Sequence, residues 1–433
     1  TGGFTKEGAG TLTFTCTINQ HTGPTFVNAG TMNCSGGLTS VAAGQNLYVA
    51  VGQIFTIPAG STLTNNGTVQ VDGTLNITGS FLNTGTIIGT GTYQFNGTTA
   101  QIIPSSLTYP SLTINNTAGV TIGGNLTASG QLNINTSNTV QLSGYNLSVG
   151  SLTGSGNISN SGTCAEFAVT GSNNTTYSGI ISGCTGLTKS GLGTLTLTGT
   201  NTYTGATKIV GGVLSVATIG NGGVSGNIGA ASNSASNLVL SGGTLSYTGA
   251  SATTDRAFTL SNGTISTIEI TIAANTFTMS GVGSSSGSIT KSGAGSLTFS
   301  GTNTYTGATT ITEGTLSVAT IGNGGEAGNL GAATNASSNL VLGGGTLLYT
   351  GATATTDRNF ILTNATTSTI NVAANTLTWS GASTSTTGAL IKSGTGTLVW
   401  SGSNAYSGLT TISAGILQLG NTNALGTTAS TTI

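Results

Sequence analysis

Eight carboxylates, Glu7, Asp72, Glu166, Asp255, Glu269, Glu313, Glu326 and Asp357, are the entire acid inventory of this 433-residue chain. Cleaving a polysaccharide calls for acids in pairs, as general acid and base or as calcium ligands, often beside a basic residue. Here they are scattered. Asp255 and Asp357 occupy equivalent positions of a long repeat. With five stacked strands between them, at roughly 4.8 Å each, they would lie about 24 Å apart, whereas a glycosidase pair sits within about 10 Å. Glu269 falls about one coil from Asp255 but has no acidic counterpart in the next repeat. The residues therefore predict a non-enzyme, with no catalytic residue, no cofactor and no metal site.

The cations are as sparse. Lys6, Lys189, Lys208, Arg256, Lys291, Arg358 and Lys392 leave a net charge of −1, which provides no electrostatic footprint for nucleic acid or an anionic membrane. Lys189, Lys291 and Lys392 recur once in each copy of the long repeat. At such a distance they act singly, beyond a Debye length of about 8 Å, and they read as solvated corner side chains. Asp255–Arg256 and Asp357–Arg358 read as local surface pairs, worth little. Tyr203, Tyr305 and Tyr406 recur in the same repeat, alongside Trp379 and Trp400. Aromatic residues recurring at one repeat position read as packing inside the fold, with surface contacts for a sugar as the possible alternative.

Four cysteines fall into two local pairs, Cys16 with Cys34 and Cys164 with Cys184, beside a single histidine, His21. An even count without metal-type spacing predicts two disulfides in an oxidising compartment. The members of each pair are separated by about one coil of chain, which would put them on adjacent rungs and within disulfide reach.

The elements that must position these residues are strands. "TLTF", "NLVL", "TLSY", "IEITI" and "TFTM" alternate apolar and polar residues between Gly-, Ser- and Asn-rich turns, a period-2 pattern of short strands. No helical periodicity of useful length appears, and no hydrophobic run approaches the ~20 residues that would span a bilayer. "LTKSGLGTLTLTGTNTYTGATKI" from Leu187 returns as "ITKSGAGSLTFSGTNTYTGATTI" from Ile289 and as "LIKSGTGTLVWSGSNAYSGLTTI" from Leu390. Near-identical neighbouring units with constant turn spacing predict an all-β parallel β-solenoid. One continuous solenoid is expected. Residues 1–174 form an irregular segment holding both disulfides. Residues 175–433 are built from the long repeat, whose third copy is incomplete. At about 20 residues per coil, each repeat would take about five coils and the chain about twenty, a rod on the order of 100 Å long.

From 175 to 426 the pattern resembles the autotransporter-associated β-strand repeat of bacterial autotransporter passengers. It is carried by "TTYSGI", by Leu-x-Lys-x-Gly-x-Gly-Thr-Leu and by Asn-x-Tyr-Ser/Thr-Gly, with an outlying copy at "FTKEGAGTLTF". The resemblance implies a right-handed parallel β-helix displayed outside a Gram-negative cell, and it carries no family-wide catalytic residue. No translocator barrel or cap is legible at either end, so the chain is expected to be a passenger fragment or a subunit with open end rungs. The leading functional reading is an extracellular structural solenoid that self-associates head to tail into a fibre or matrix. The alternative is the stalk of an adhesin binding a host or glycan surface. A polysaccharide-degrading β-helix stands third. Neither nucleic acid nor membrane insertion is expected of this segment.

Overall fold

The computed structural model describes residues 3–14, 23–34, 39–105, 107–427 and 431–432. Strands dominate the described residues, their recorded strand pairings are parallel, and the helical elements there are two single 3-10 turns, Ala235–Asn237 and Ser337–Asn339. The chain divides into two compact units, Thr1–Gly205 and Ala206–Ile433.

In unit 1 a coil is three short strands joined by two-residue turns, such as Thr68–Val71, Thr74–Ile77 and Ser80–Asn83. The next coil then begins with Thr86 beside Thr68. Alternation decides which side chains enter. In Thr68–Val71 and Thr74–Ile77 the valines, Leu75 and Ile77 are buried while the intervening polar residues stay half exposed. Register then stacks like on like. Leu75, Tyr93, Leu112, Leu132 and Leu152 form one inward row across five consecutive coils. Each buried side chain of this size is worth about 1.5–3 kcal/mol relative to exposure.

The turns have to be small because each lies directly over the turn of the coil before. A Cβ at Gly73 would run into the carbonyl oxygen of Ala50, and one at Gly79 into that of Ser61. Polar residues near the turns satisfy one another between coils, as where Asn65 Nδ2 donates to Asn83 Oδ1 at 2.6 Å and Asn115 Nδ2 to Asn96 Oδ1 at 2.7 Å. A disulfide joins Cys164 to Cys184 across adjacent coils, with their Cα atoms 4.6 Å apart. Cys16 of the expected Cys16–Cys34 pair lies outside the described residues.

Unit 2 has the same three-faced coil, but its long repeat does not fill a whole number of turns. Strand Thr244–Tyr247 stacks under Ile265–Ile270, then Ser288–Ser292, Thr309–Ile311 and Leu340–Leu342. Its sequence equivalent, Thr346–Tyr349, is not in that column. It follows Leu340–Leu342 in the chain and lies on the next face, between Thr315–Val318 and Thr367–Val372. Four coils plus one face therefore make one repeat, not the five coils the sequence suggested. Two long excursions account for the difference. Between Val213–Val216 and Leu238–Leu240, and again between Thr315–Val318 and Leu340–Leu342, the chain leaves the coil before returning to it.

A consequence is that equivalent residues occupy different faces. Ser288–Ser292, which carries Lys291, pairs with Ile265–Ile270, whereas its counterpart Ala389–Ser393, which carries Lys392, pairs with Thr367–Val372 in another sheet. The two lysines do not form a stripe.

Candidate functional site

The recurring lysines are not the solvated corner residues expected from sequence. Lys6, Lys189, Lys291 and Lys392 are at most 8 % exposed. Strand parity places them on the inward row, because Leu187 and Lys189 share a face with Thr188 opposite. Each ammonium is bound by backbone carbonyls instead of water. Lys291 Nζ donates to Ser292 O at 2.6 Å, Gly293 O at 2.7 Å and Glu313 O at 3.1 Å. Lys392 repeats this with Ser393, Gly394 and Ala414, Lys6 with Glu7, Gly8 and Ala29, and Lys189 donates to Gly191 O. For Lys6, Lys291 and Lys392 the third acceptor belongs to the following coil. Each of these three thus ties its own glycine turn to the next coil.

Burial pushes the Lys291 ammonium down to about 8, against partial support from Glu313 and Glu269, and it lowers Lys189 and Lys392 as well. An unfolded lysine keeps its proton up to about 10.4, so between pH 8 and 10 the unfolded chain binds more protons and stability must rise with pH. The buried tyrosines act in the opposite direction. Tyr305 is raised to about 12 by burial, and the unfolded chain ionises its tyrosines from about pH 10. A thermal-melting series should therefore show the midpoint rising from pH 7.5 to about 9.5 and falling above 10. Lys291→Met should flatten the rise.

The tyrosines take the packed assignment and not the surface one, and the expected surface ion pairs are likewise inside. Tyr203, Tyr305 and Tyr406 are fully buried, as are Trp379 and Trp400. Tyr305 Oη pairs with Thr309 Oγ1 at 2.7 Å and Tyr406 Oη with Thr410 Oγ1 at 2.8 Å, so the rings fill the coil and the hydroxyls are satisfied there. Arg256 and Arg358 are at most 2 % exposed. Arg358 donates to the carbonyls of Gly322, Glu326, Gly331 and Ala333 at 2.8–3.2 Å, folding the 319–335 excursion around one guanidinium. Asp357 adds a bond from Gly324 N–H at 2.7 Å. Arg256 and Asp255 organise the first excursion in the same way.

With these residues internal, attention moves to the outer surface, where unit 1 carries a concavity among its described residues. It is an open cleft of about 360 Å³ where the outward side chains of four adjacent strands line up. Thr108, Thr127, Ser148 and Ala168 are in register across its floor. Its edge is a polar ladder one coil per step, in which Asn125 Oδ1 accepts from Asn146 N–H at 2.9 Å and Asn146 Oδ1 from Glu166 N–H at 2.8 Å. Glu166 Oε1 in turn accepts from the Thr188 hydroxyl. The ladder fixes the outward polar groups in place, and the disulfide begins at Cys164, just before Glu166.

Chemically the cleft sets hydroxyls, amides and one carboxylate among the apolar side chains of Leu107, Leu126, Leu147 and Ala168, a lining that can hydrogen-bond a polyhydroxylated ligand and pack against its C–H faces. Asp72 lies five coils away, or about 24 Å at 4.8 Å per rung, so it does not pair with Glu166. The cleft was not legible along the sequence. Its signal was the recurrence of Asn125, Asn146 and Glu166 at intervals of one coil, which is visible only after the coils are aligned.

A family model described as passenger-associated-transport-repeat matches residues 4–33, 187–216, 289–318 and 390–419. These four segments are passenger-associated-transport repeats. The buried lysine is the third residue of every passenger repeat, and the glycine turn it staples follows directly. One relative, the adhesin BmaC autotransporter of Brucella suis biovar 1 (strain 1330), is 34 % identical over 226 residues. The alignment covers 50 % of this chain and 6 % of that protein, so the chain matches a small part of a far longer relative. No solved structure matches the chain.

Proposed function

We propose that this chain is a surface-displayed passenger segment of a Gram-negative autotransporter that serves adhesion, with the unit 1 cleft as its glycan contact. The observation that carries the reading is the lining of the cleft, where in-register hydroxyls and ladder-fixed amides stand beside one carboxylate on a parallel sheet. The four passenger repeats and the similarity to an autotransporter adhesin support it. The inward cations support a scaffolding role for the repeats themselves, since their charges are spent on holding turns.

The test is binding of the whole chain to a glycan array and to host-cell surfaces. Asn146→Ala and Glu166→Gln should each weaken the best hit about tenfold, the loss of one or two hydrogen bonds. Light scattering on the same samples reads self-association. Mass growth with concentration, together with glycan binding untouched by both variants, would replace this reading with a self-assembling matrix.

A further inference from the structure

The second outward feature of unit 1 is a row of side chains on its five-stranded sheet, made of Phe4–Lys6, Thr25–Val27, Asn46–Val49, Thr68–Val71 and Thr86–Ile88. Register aligns Thr5, Phe26, Tyr48, Gln70 and Ile88 on the outer face. Nearly every other described aromatic ring is buried. Phe26 and Tyr48 depart from that rule side by side, both half-buried, with ring centroids 6.1 Å apart and planes at 70°. A solenoid with room for these rings inside has placed two of them outside on adjacent rungs.

Carboxylates flank the row. Glu7 accepts from Asn28 Nδ2 at 2.8 Å, and Asp72 accepts from Gln70 Nε2 at 2.8 Å and from Thr90 N–H at 3.0 Å. These partners are neutral. The Gln70 amide and Thr90 hold the Asp72 carboxyl below its usual range, so it is ionised at any physiological pH. The lysines of unit 1, Lys6 and Lys189, both face inward, and unit 1 has no arginine. Its outer surface therefore presents carboxylates with no Lys or Arg side chain among them, although the whole chain sums to only −1.

We propose that this face binds a glycan chain bearing free, protonated amines, with its sugar rings over Phe26 and Tyr48 and its ammonium groups against Glu7 and Asp72. Charge complementarity selects the occupant. An apolar ring face set beside an uncompensated carboxylate favours a ligand with a C–H face and a cation, and aromatic rings add to the attraction for an ammonium. The rungs are about 4.8 Å apart, close to the length of one pyranose, so successive sugars meet successive rungs. Thr68 and Thr86 supply hydroxyls on the opposite flank, in register with each other. This site lies on a different sheet from the cleft and does not depend on it.

Calorimetric titration of the whole chain with glucosamine oligomers, and with N-acetylglucosamine oligomers of equal length, tests the proposal. The free-amine oligomer should bind at least about tenfold tighter, the scale of one cation–aromatic and ion contact, and should weaken as salt is raised. Tyr48→Ala and Asp72→Asn should each remove most of that affinity, while Asn146→Ala in the cleft leaves it unchanged. Tyr48 lies on the outer face and Asp72 at its flank, so both variants should keep the fold, which their melting curves check. Equal binding of the two oligomers, binding of neither, or full affinity in Tyr48→Ala would overturn the proposal. So would oligolysine binding that is indifferent to Tyr48, which would mark a bare acidic patch. A cleft variant that loses array binding but keeps glucosamine binding separates this site from the one proposed above.

Discussion

Trp379→Ala is expected to cost unit 2 about 3–5 kcal/mol, the range for emptying a buried indole site. Trp379 and Trp400 are in register on successive strands, Thr376–Trp379 and Thr397–Trp400. Their ring centroids are 5.7 Å apart, and Phe360 packs edge-on against both at 5.6 and 5.4 Å. Trp379 also donates from Nε1 to Arg358 O at 2.6 Å, so truncation leaves both a cavity and a buried carbonyl short of a donor. Stacked coils share stability with their neighbours, not with the whole chain. The measurement is therefore hydrogen exchange on the intact chain. Protection should fall in Thr376–Trp379 and Thr397–Trp400 while Thr74–Ile77 in unit 1 keeps its rate. Trp400 gives the matching control. Its Nε1 is buried without a partner among the described residues, so Trp400→Phe removes an unsatisfied donor and should cost far less than Trp379→Phe.

Arg358→Leu ranks next, at about 2–4 kcal/mol from the acceptors it would orphan. The guanidinium reaches four carbonyls of the 319–335 excursion at once. A leucine would leave those oxygens buried and short of donors, at about 1–3 kcal/mol for each one water cannot reach. Lysine should restore little, because a compact ammonium lacks the planar fork that spans separated acceptors. Limited proteolysis should open the excursion within 322–333. The Arg256 excursion in the preceding repeat should stay closed and serve as the internal standard. If both excursions resist cleavage equally in Arg358→Leu, the guanidinium is not what folds the loop.

The solenoid was legible because two independent signals agreed: strict alternation within short segments and near-identity between distant ones. Burial of the charged residues was not, because lysine and arginine are surface residues by default. Yet the parity that located Leu187 inside also assigned Lys189 there, and Thr254, Arg256, Phe258 and Leu260 run on a single inward row. Alternation outweighed residue type wherever carbonyls of a glycine turn could take the place of water. The number of coils in one long repeat was missed for another reason. Thr68 pairs with Thr86, but Thr309 pairs with Leu340, a far longer step along the chain. An excursion adds residues without adding a rung. The cleft and the aromatic row share one cause of invisibility. Their members are neighbours only across coils, and nothing local marks them.

The extra third of a turn in each repeat has a consequence for how such a gene can change. Near-identical tandem copies invite unequal crossing-over, and losing or gaining one copy would join strands that already fit in pattern, since equivalent positions alternate apolar residues inward in the same way and share their glycine turns. Stacking would continue undisturbed. Everything beyond the crossover, however, would be turned by a third of a revolution about the coil axis. Copy number in such an array thus acts as a dial on bearing, re-aiming whatever the later coils display while the stacking that holds them keeps its pattern.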